Sequence, residues 1–258
     1  MPETRPSLIT RAPEELEALR PATEARIALG RSGTGLPTAA VQAFLLDHAR
    51  AREAVWRPLD VEAVERELIS FGVTVVHVAS WAKDRAEYLR RPDLGRRLSP
   101  DHSLALGERE KEVDVALIVA DGLSATAVER NAAPLVAALL PLLQGQGLTM
   151  GPIVLATQAR VALGDDVGVA LKARVTVMLI GERPGLSAVD SLGAYLTHAP
   201  QTNLPDSRRN CISNIRDGGL PIAEAASRIA MLISAMLKQA TSGVTLIESE
   251  TPTGFLSG

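Results

Sequence analysis

From about residue 59 onward, short and almost wholly apolar runs recur between longer amphipathic stretches. Residues 73–79, 113–120, 152–156 and 174–180 are rich in Val, Ile, Leu and Ala and too short for buried helices. A strand that is apolar on both sides must be covered on both sides, which is the condition of a parallel sheet between helical layers. The stretches 61–70, 125–143 and 167–173 read as helices, and another starts at Pro221 and stops at Ser242 and Gly243. Residues 84 to about 98 read as a helix interrupted around Pro92, residues 191–197 as a further strand and 211–215 as a short extended piece.

The predicted architecture is α/β: a Rossmann-like three-layer domain with a mostly parallel sheet over 59–258, preceded by a small helical N-terminal region over 1–58. Residues 1 to about 20 are charged and punctuated by Pro2, Pro6 and Pro13, as in a loosely attached arm, with a short helix at 13–19. A longer helix is expected from Thr38 to about Val55, with Val41, Phe44, Leu45 and His48 on one face. In open α/β sheets, ligands sit outside the carboxyl ends of the strands near a reversal of strand order. The polar loops after Ala120, Ala156 and Ile180 are therefore the places to look for a site.

Composition removes several classes of function. The formal charge of −3 gives no general attraction to nucleic acid or anionic membranes, and 3% aromatic residues make a poor base-stacking surface. No run approaches eighteen uninterrupted apolar residues, so the expectation is a soluble, cytoplasmic protein. Cys211 is the one cysteine, which excludes an intrachain disulfide and a cysteine metal cage. His48, His77, His102 and His198 form no H-x-x-x-H pair, and no metal site is expected.

Several motifs carry both a functional and a structural reading. Gly30 to Gly35 resembles a phosphate loop in glycine content, but its spacing is wrong and no G-K-[ST] follows, which favours a tight turn facing a partner. Cys211 could be a nucleophile activated by a histidine such as His198, or a buried or pocket-lining thiol. Asp121-Gly122-Leu123-Ser124 suits a strand-to-helix junction in which Gly122 turns the chain and Ser124 caps the helix, and it also lies where α/β proteins meet ligands. The stiff polar loop Gly181-Glu182-Arg183-Pro184-Gly185 is either a ligand contact or a salt-bridged turn.

Six segments carry a family resemblance: residues 26–33 (RIALGRSG), 47–52 (DHARAR), 88–97 (YLRRPDLGRR), 119–127 (VADGLSATA), 181–187 (GERPGLS) and 210–216 (NCISNIR). In this order, and spanning about residue 25 to 248, they resemble the ethanolamine ammonia-lyase small subunit family. The resemblance implies a lyase subunit that acts in a hetero-oligomer with the family's large subunit and not alone. Large-subunit barrels would hold ethanolamine and the reactive end of adenosylcobalamin, while the Rossmann-like domain covers part of the corrin and its nucleotide tail. The implied reaction converts ethanolamine to acetaldehyde and ammonia by radical chemistry that the cofactor supplies.

Three cofactor-binding positions carry over from the family: Val161, Glu182 and Cys211. No catalytic residue and no metal ligand is implied in this chain, nor any nucleic-acid or membrane partner. No D-x-H-x-x-G occurs, the loop by which some cobalamin proteins supply a histidine to cobalt. Trp81, Thr157, Ala159 and Lys172 depart from the family pattern, the last standing where a glycine is usual. Some members carry a longer N-terminal arm associated with packaging into a bacterial microcompartment. The alternatives are a non-catalytic α/β module that binds cobalamin or a nucleotide, and an independent hydrolase using Cys211.

Overall fold

The computed structural model describes residues 9–108 and 112–246. The first eight residues of the expected N-terminal arm, and the end of the 59–258 domain from residue 247, lie outside the described residues. The N-terminal region contains strand β1 (Ile9–Thr10), helix α1 (Glu14–Glu17), strand β2 (Arg31–Ser32) and helix α2 (Thr38–Trp56). Then follow α3 (Val61–Ile69), β3 (Val75–Ala79), α4 (Arg85–Arg90), α5 (Pro92–Gly95), α6 (Pro100–Gly107), β4 (Val113–Ala120) and α7 (Ala125–Gly145). The chain continues through β5 (Ile153–Thr157), α8 (Leu163–Ala170), β6 (Ala173–Gly181), β7 (Leu192–His198), β8 (Asn210–Ile215) and α9 (Ile222–Gln239).

Six strands form one sheet in the order β3-β5-β4-β6-β7-β8. The first four are parallel, while β7 and β8 pair antiparallel at one side, so the sheet is mostly parallel as the apolar runs predict. Alternation along β4 explains the layering. Val115, Leu117 and Val119 pack with α3, α7 and α9, while Ala116, Ile118 and Ala120 pack with α6 and α8. Both faces are dry, and a fully buried Leu or Ile such as Leu117 or Ile118 contributes about 1.5–3 kcal/mol over exposure.

Helix α7 runs through two internal prolines because of where they point. Pro134 and Pro141 are seven residues apart, both on the exposed side. The carbonyls they deprive of a partner, on Arg130 and Ala137, belong to exposed residues and can be hydrated. The opposite face buries Val128, Leu135, Leu139 and Leu143. Ser124 caps the helix, its Oγ accepting the Ala127 N–H at 3.1 Å and donating to the Val189 carbonyl at 2.6 Å.

The helix expected at 167–173 begins earlier, at Leu163, and ends at Ala170. Its acidic first turn of Asp165 and Asp166 belongs to the helix, and Ala173 opens β6. Pro92 breaks the 84–98 stretch into α4 and α5, as expected, and α6, which starts at Pro100, is an additional helix. Helix α2 forms where the periodicity places it, but Val41, Phe44, Leu45 and His48 are all exposed, and Ala54 is its one buried residue. Gly30 to Gly35 makes a tight turn in which Ser32 and Gly35 exchange backbone hydrogen bonds.

Candidate functional site at the carboxyl ends of the strands

The loop after β4 leads to α7 on one face of the sheet, and the loop after β5 leads to α8 on the other. Neighbouring loops that part in this way leave a crevice between them. Asp121, 4% exposed, spans it. Its two carboxylate oxygens accept the Gln158 N–H at 2.9 Å and the Ala159 N–H at 3.1 Å. Burial raises the Asp121 pKa, opposed by the nearby Arg85 guanidinium and by backbone N–H donors. Beside it, β4 and β6 close on each other through glycines. Leu123 N–H donates to the Gly181 carbonyl at 2.8 Å, and a side chain at Gly122 (φ +55°) or Gly181 would collide with the facing backbone.

Two clefts open beside this junction. One, of about 460 Å³, is lined by Pro92, Arg96, Arg160, Val161, Tyr195, Asp206, Arg209 and Cys211. The other, of about 420 Å³, is lined in part by Leu123, Arg160, Val161, Glu182, Arg183 and Tyr195. Arg160, Val161 and Tyr195 belong to both. The three carried-over residues, distant in sequence, therefore line two adjoining hollows: Val161 at their junction, Glu182 in one and Cys211 in the other. An apolar recess of about 920 Å³, lined by Val113, Leu140, Met150 and Leu171 among others, lies at the amino ends of the strands and includes none of them.

The surroundings of each side chain limit its chemistry. Glu182 Oε2 accepts from the Ser191 hydroxyl and from Asn214 N–H, so the loop after β6 is tied to β8. Gly193 makes room for it, since a Cβ there would lie 2.8 Å from Glu182 Oε1. Glu182 is thus fastened by neutral donors and not by Arg183, against the salt-bridged-turn reading of this loop.

Cys211 is exposed and lies directly across the ladder from Tyr195. The residue is open to the cleft, but the protein packed around its sulfur still desolvates it enough to raise the thiol pKa, so it is protonated at neutral pH. His198 is three residues beyond Tyr195 on the opposite face of β7, so it does not serve Cys211 as a base. The geometry gives the pocket-lining reading of the cysteine and offers the hydrolase reading no activated nucleophile. None of the four histidines lines either cleft. His77 is paired on β3 with Glu65 at 2.8 Å, and His102 Nδ1 lies 2.8 Å from Ser99 Oγ.

Sequence reasoning did not find Arg160, Tyr195, Arg209 or Tyr88. Arg209 and Asp165 form a buried ion pair beneath the first cleft, and Arg209 also reaches Asp206 at 2.6 Å. Arg209 stands between the turn at Asp206–Arg208 and the start of β8, and the pair Arg208-Arg209 gives no sign in the sequence that one of them is buried.

The family model for the ethanolamine ammonia-lyase light chain matches residues 13–247. This chain belongs to that family. It is 48% identical over 248 residues to the ethanolamine ammonia-lyase small subunit of Ralstonia nicotianae, covering 95% of this chain and 91% of that protein. Proteins of the same name from Bradyrhizobium diazoefficiens and Azotobacter vinelandii are 50% and 49% identical, over 88% and 89% of this chain and 88% and 87% of their own lengths. The family is one of lyase subunits, and the match runs through every element of the three-layer fold. Among the described residues, no helix is long and apolar enough to cross a membrane.

Proposed function

We propose that this chain is the small subunit of an adenosylcobalamin-dependent ethanolamine ammonia-lyase, and that the paired clefts at Val161 take one edge of the cofactor. The large subunit would carry the substrate pocket and the cofactor's reactive side. The observation that carries this reading is the convergence of Val161, Glu182 and Cys211 on adjoining hollows beside the crevice between the β4 and β5 loops.

The residues present fit the group. Val161, partly exposed, offers an apolar contact for a macrocycle edge, and Tyr195 and Cys211 continue that wall. Glu182, held at Oε2, keeps a carboxylate at the rim to accept from amide side chains. Arg160 adds donors, and its Nε is buried with no hydrogen-bond partner among the described residues. When bound, the cofactor supplies the radical chemistry. This chain's residues bind and orient it and contribute no acid, base or nucleophile.

The test is ethanolamine-dependent acetaldehyde release by this chain, a matching large subunit and adenosylcobalamin, with each component omitted in turn. Activity in the complete mixture alone supports the reading. Silence of that mixture, where a known small subunit restores activity, refutes it and favours a non-catalytic binding module. A cytoplasmic location, with or without a microcompartment, is part of the same proposal and is read by fractionating cells that express the chain.

A further inference from the structure

Val161 lies on a turn, not on a regular element: residues 158–162 join the end of β5 to the start of α8. That turn contains no glycine, yet Gln158 adopts φ +54°, in the left-handed region that non-glycine residues avoid. Such a conformation persists only where surrounding groups over-determine it.

Here they do. The N–H groups of Gln158 and Ala159 are both accepted by Asp121. The Ala159 carbonyl accepts the Tyr88 hydroxyl at 2.9 Å, and Arg160 N–H donates to the Gly95 carbonyl at 2.8 Å. Backbone groups of three consecutive residues are thus held from β4, α4 and α5. Tyr88 and Ala159 are fully buried. The Tyr88 ring also carries two guanidinium groups, Arg160 at 4.3 Å and Arg85 at 4.9 Å from its centroid. Arg85 completes the assembly by donating to the Val55 carbonyl at 2.7 Å and the Gly122 carbonyl at 2.8 Å, and by approaching Asp121 at 3.3 Å. Gly95 permits this packing, since a Cβ there would lie 2.9 Å from both the Arg160 side chain and the Tyr88 ring.

We infer that Tyr88, Asp121 and Arg85 are positioning residues that hold the 158–161 turn in the one conformation that presents Arg160 and Val161 to the cofactor. The inference rests on the cobalamin reading of the clefts. Asp121 is buried, and Tyr88 sits at the back of the second cleft with its side chain fully covered, so both act through the turn. The arrangement costs no reorganisation when the cofactor binds, so it should appear in affinity and not in the chemical step.

Tyr88→Phe isolates the effect, because it keeps the ring under both arginines and removes only the donor to Ala159. In the assembled complex with the large subunit, the account predicts a roughly tenfold rise in the KM and Kd for adenosylcobalamin. The kcat at saturating cofactor and the KM for ethanolamine should not change. Val175→Ala, in the buried base of β6, serves as a stability control that should leave the cofactor KM at the wild-type value. Wild-type cofactor affinity in Tyr88→Phe, or an equal rise in the Val175→Ala control, refutes the positioning role alone. Failure of the wild-type complex to bind adenosylcobalamin refutes the cofactor reading and this inference with it.

Discussion

Replacing Lys172 with glycine should stabilise the protein, and the structure gives the reason and the size. Helix α8 ends at Ala170, Leu171 caps it, and Lys172 follows at φ +51° with its N–H on the Val169 carbonyl at 3.2 Å. This is the position after a helix cap where glycine is preferred, because a side chain in the left-handed region is strained. The strain of a non-glycine residue there is about 1–2 kcal/mol. Glycine returns about 0.5–1 kcal/mol of it through the greater freedom of the unfolded chain. The Lys172 side chain is exposed and makes no hydrogen bond or ion pair among the described residues, so only a few tenths of a kcal/mol of helix-end attraction are lost with it. The net gain is about 0.5–1 kcal/mol, or ~1–4 °C in Tm for a chain of this size. Denaturant titration and calorimetry of wild type, Lys172→Gly and Lys172→Ala measure it. The alanine variant, which keeps the strain, should stay within about 0.5 kcal/mol of wild type. A glycine variant no more stable than the alanine variant refutes the reasoning.

Ser124→Ala removes both the cap on α7 and the bond to the Val189 carbonyl, and should lower stability by about 1–2 kcal/mol, read as a shift in denaturant midpoint. Stability should also depend on pH through Asp165, whose carboxyl is raised to about 6 by burial, against the pull of Arg209. Between roughly pH 4 and 6 this group binds more protons in the folded than in the unfolded state, so its contribution to stability grows as pH falls from 7 toward 4. Asp114 works the other way: backbone and hydroxyl donors from Thr149, with Arg174, lower its pKa, and the stability it contributes is lost only below about pH 4. Unfolding curves from pH 7 to 4.5 check this, and Asp165→Asn should flatten the slope.

The sheet was legible because the parallel strands are apolar almost throughout and each crossover is long enough for a helix. The antiparallel pairing of β7 with β8 was not, since an extended run such as 211–215 does not reveal its partner. Helix α8 was misplaced for a related reason: its acidic first turn reads as polar loop until Asp165 is seen buried against Arg209. The apolar stripe of α2 was found in the sequence, but its exposure was not, because periodicity records a preference for burial and not what covers the face. At the site, motif resemblance picked out Val161, Glu182 and Cys211, and topology predicted the loops that carry two of them. Tyr88 and Asp121 stand in segments that the sequence marks, but their hold on the turn could be seen only in the structure, since their partners are its backbone groups. The departure at Lys172 acquired its meaning in the same way, from a single dihedral angle.

The most direct test is a structure of the complex of this chain, its large subunit and adenosylcobalamin. The account predicts a corrin edge in van der Waals contact with Val161, within about 4 Å, flanked by Glu182 and Cys211. Cobalamin bound with none of these three residues in contact would contradict it.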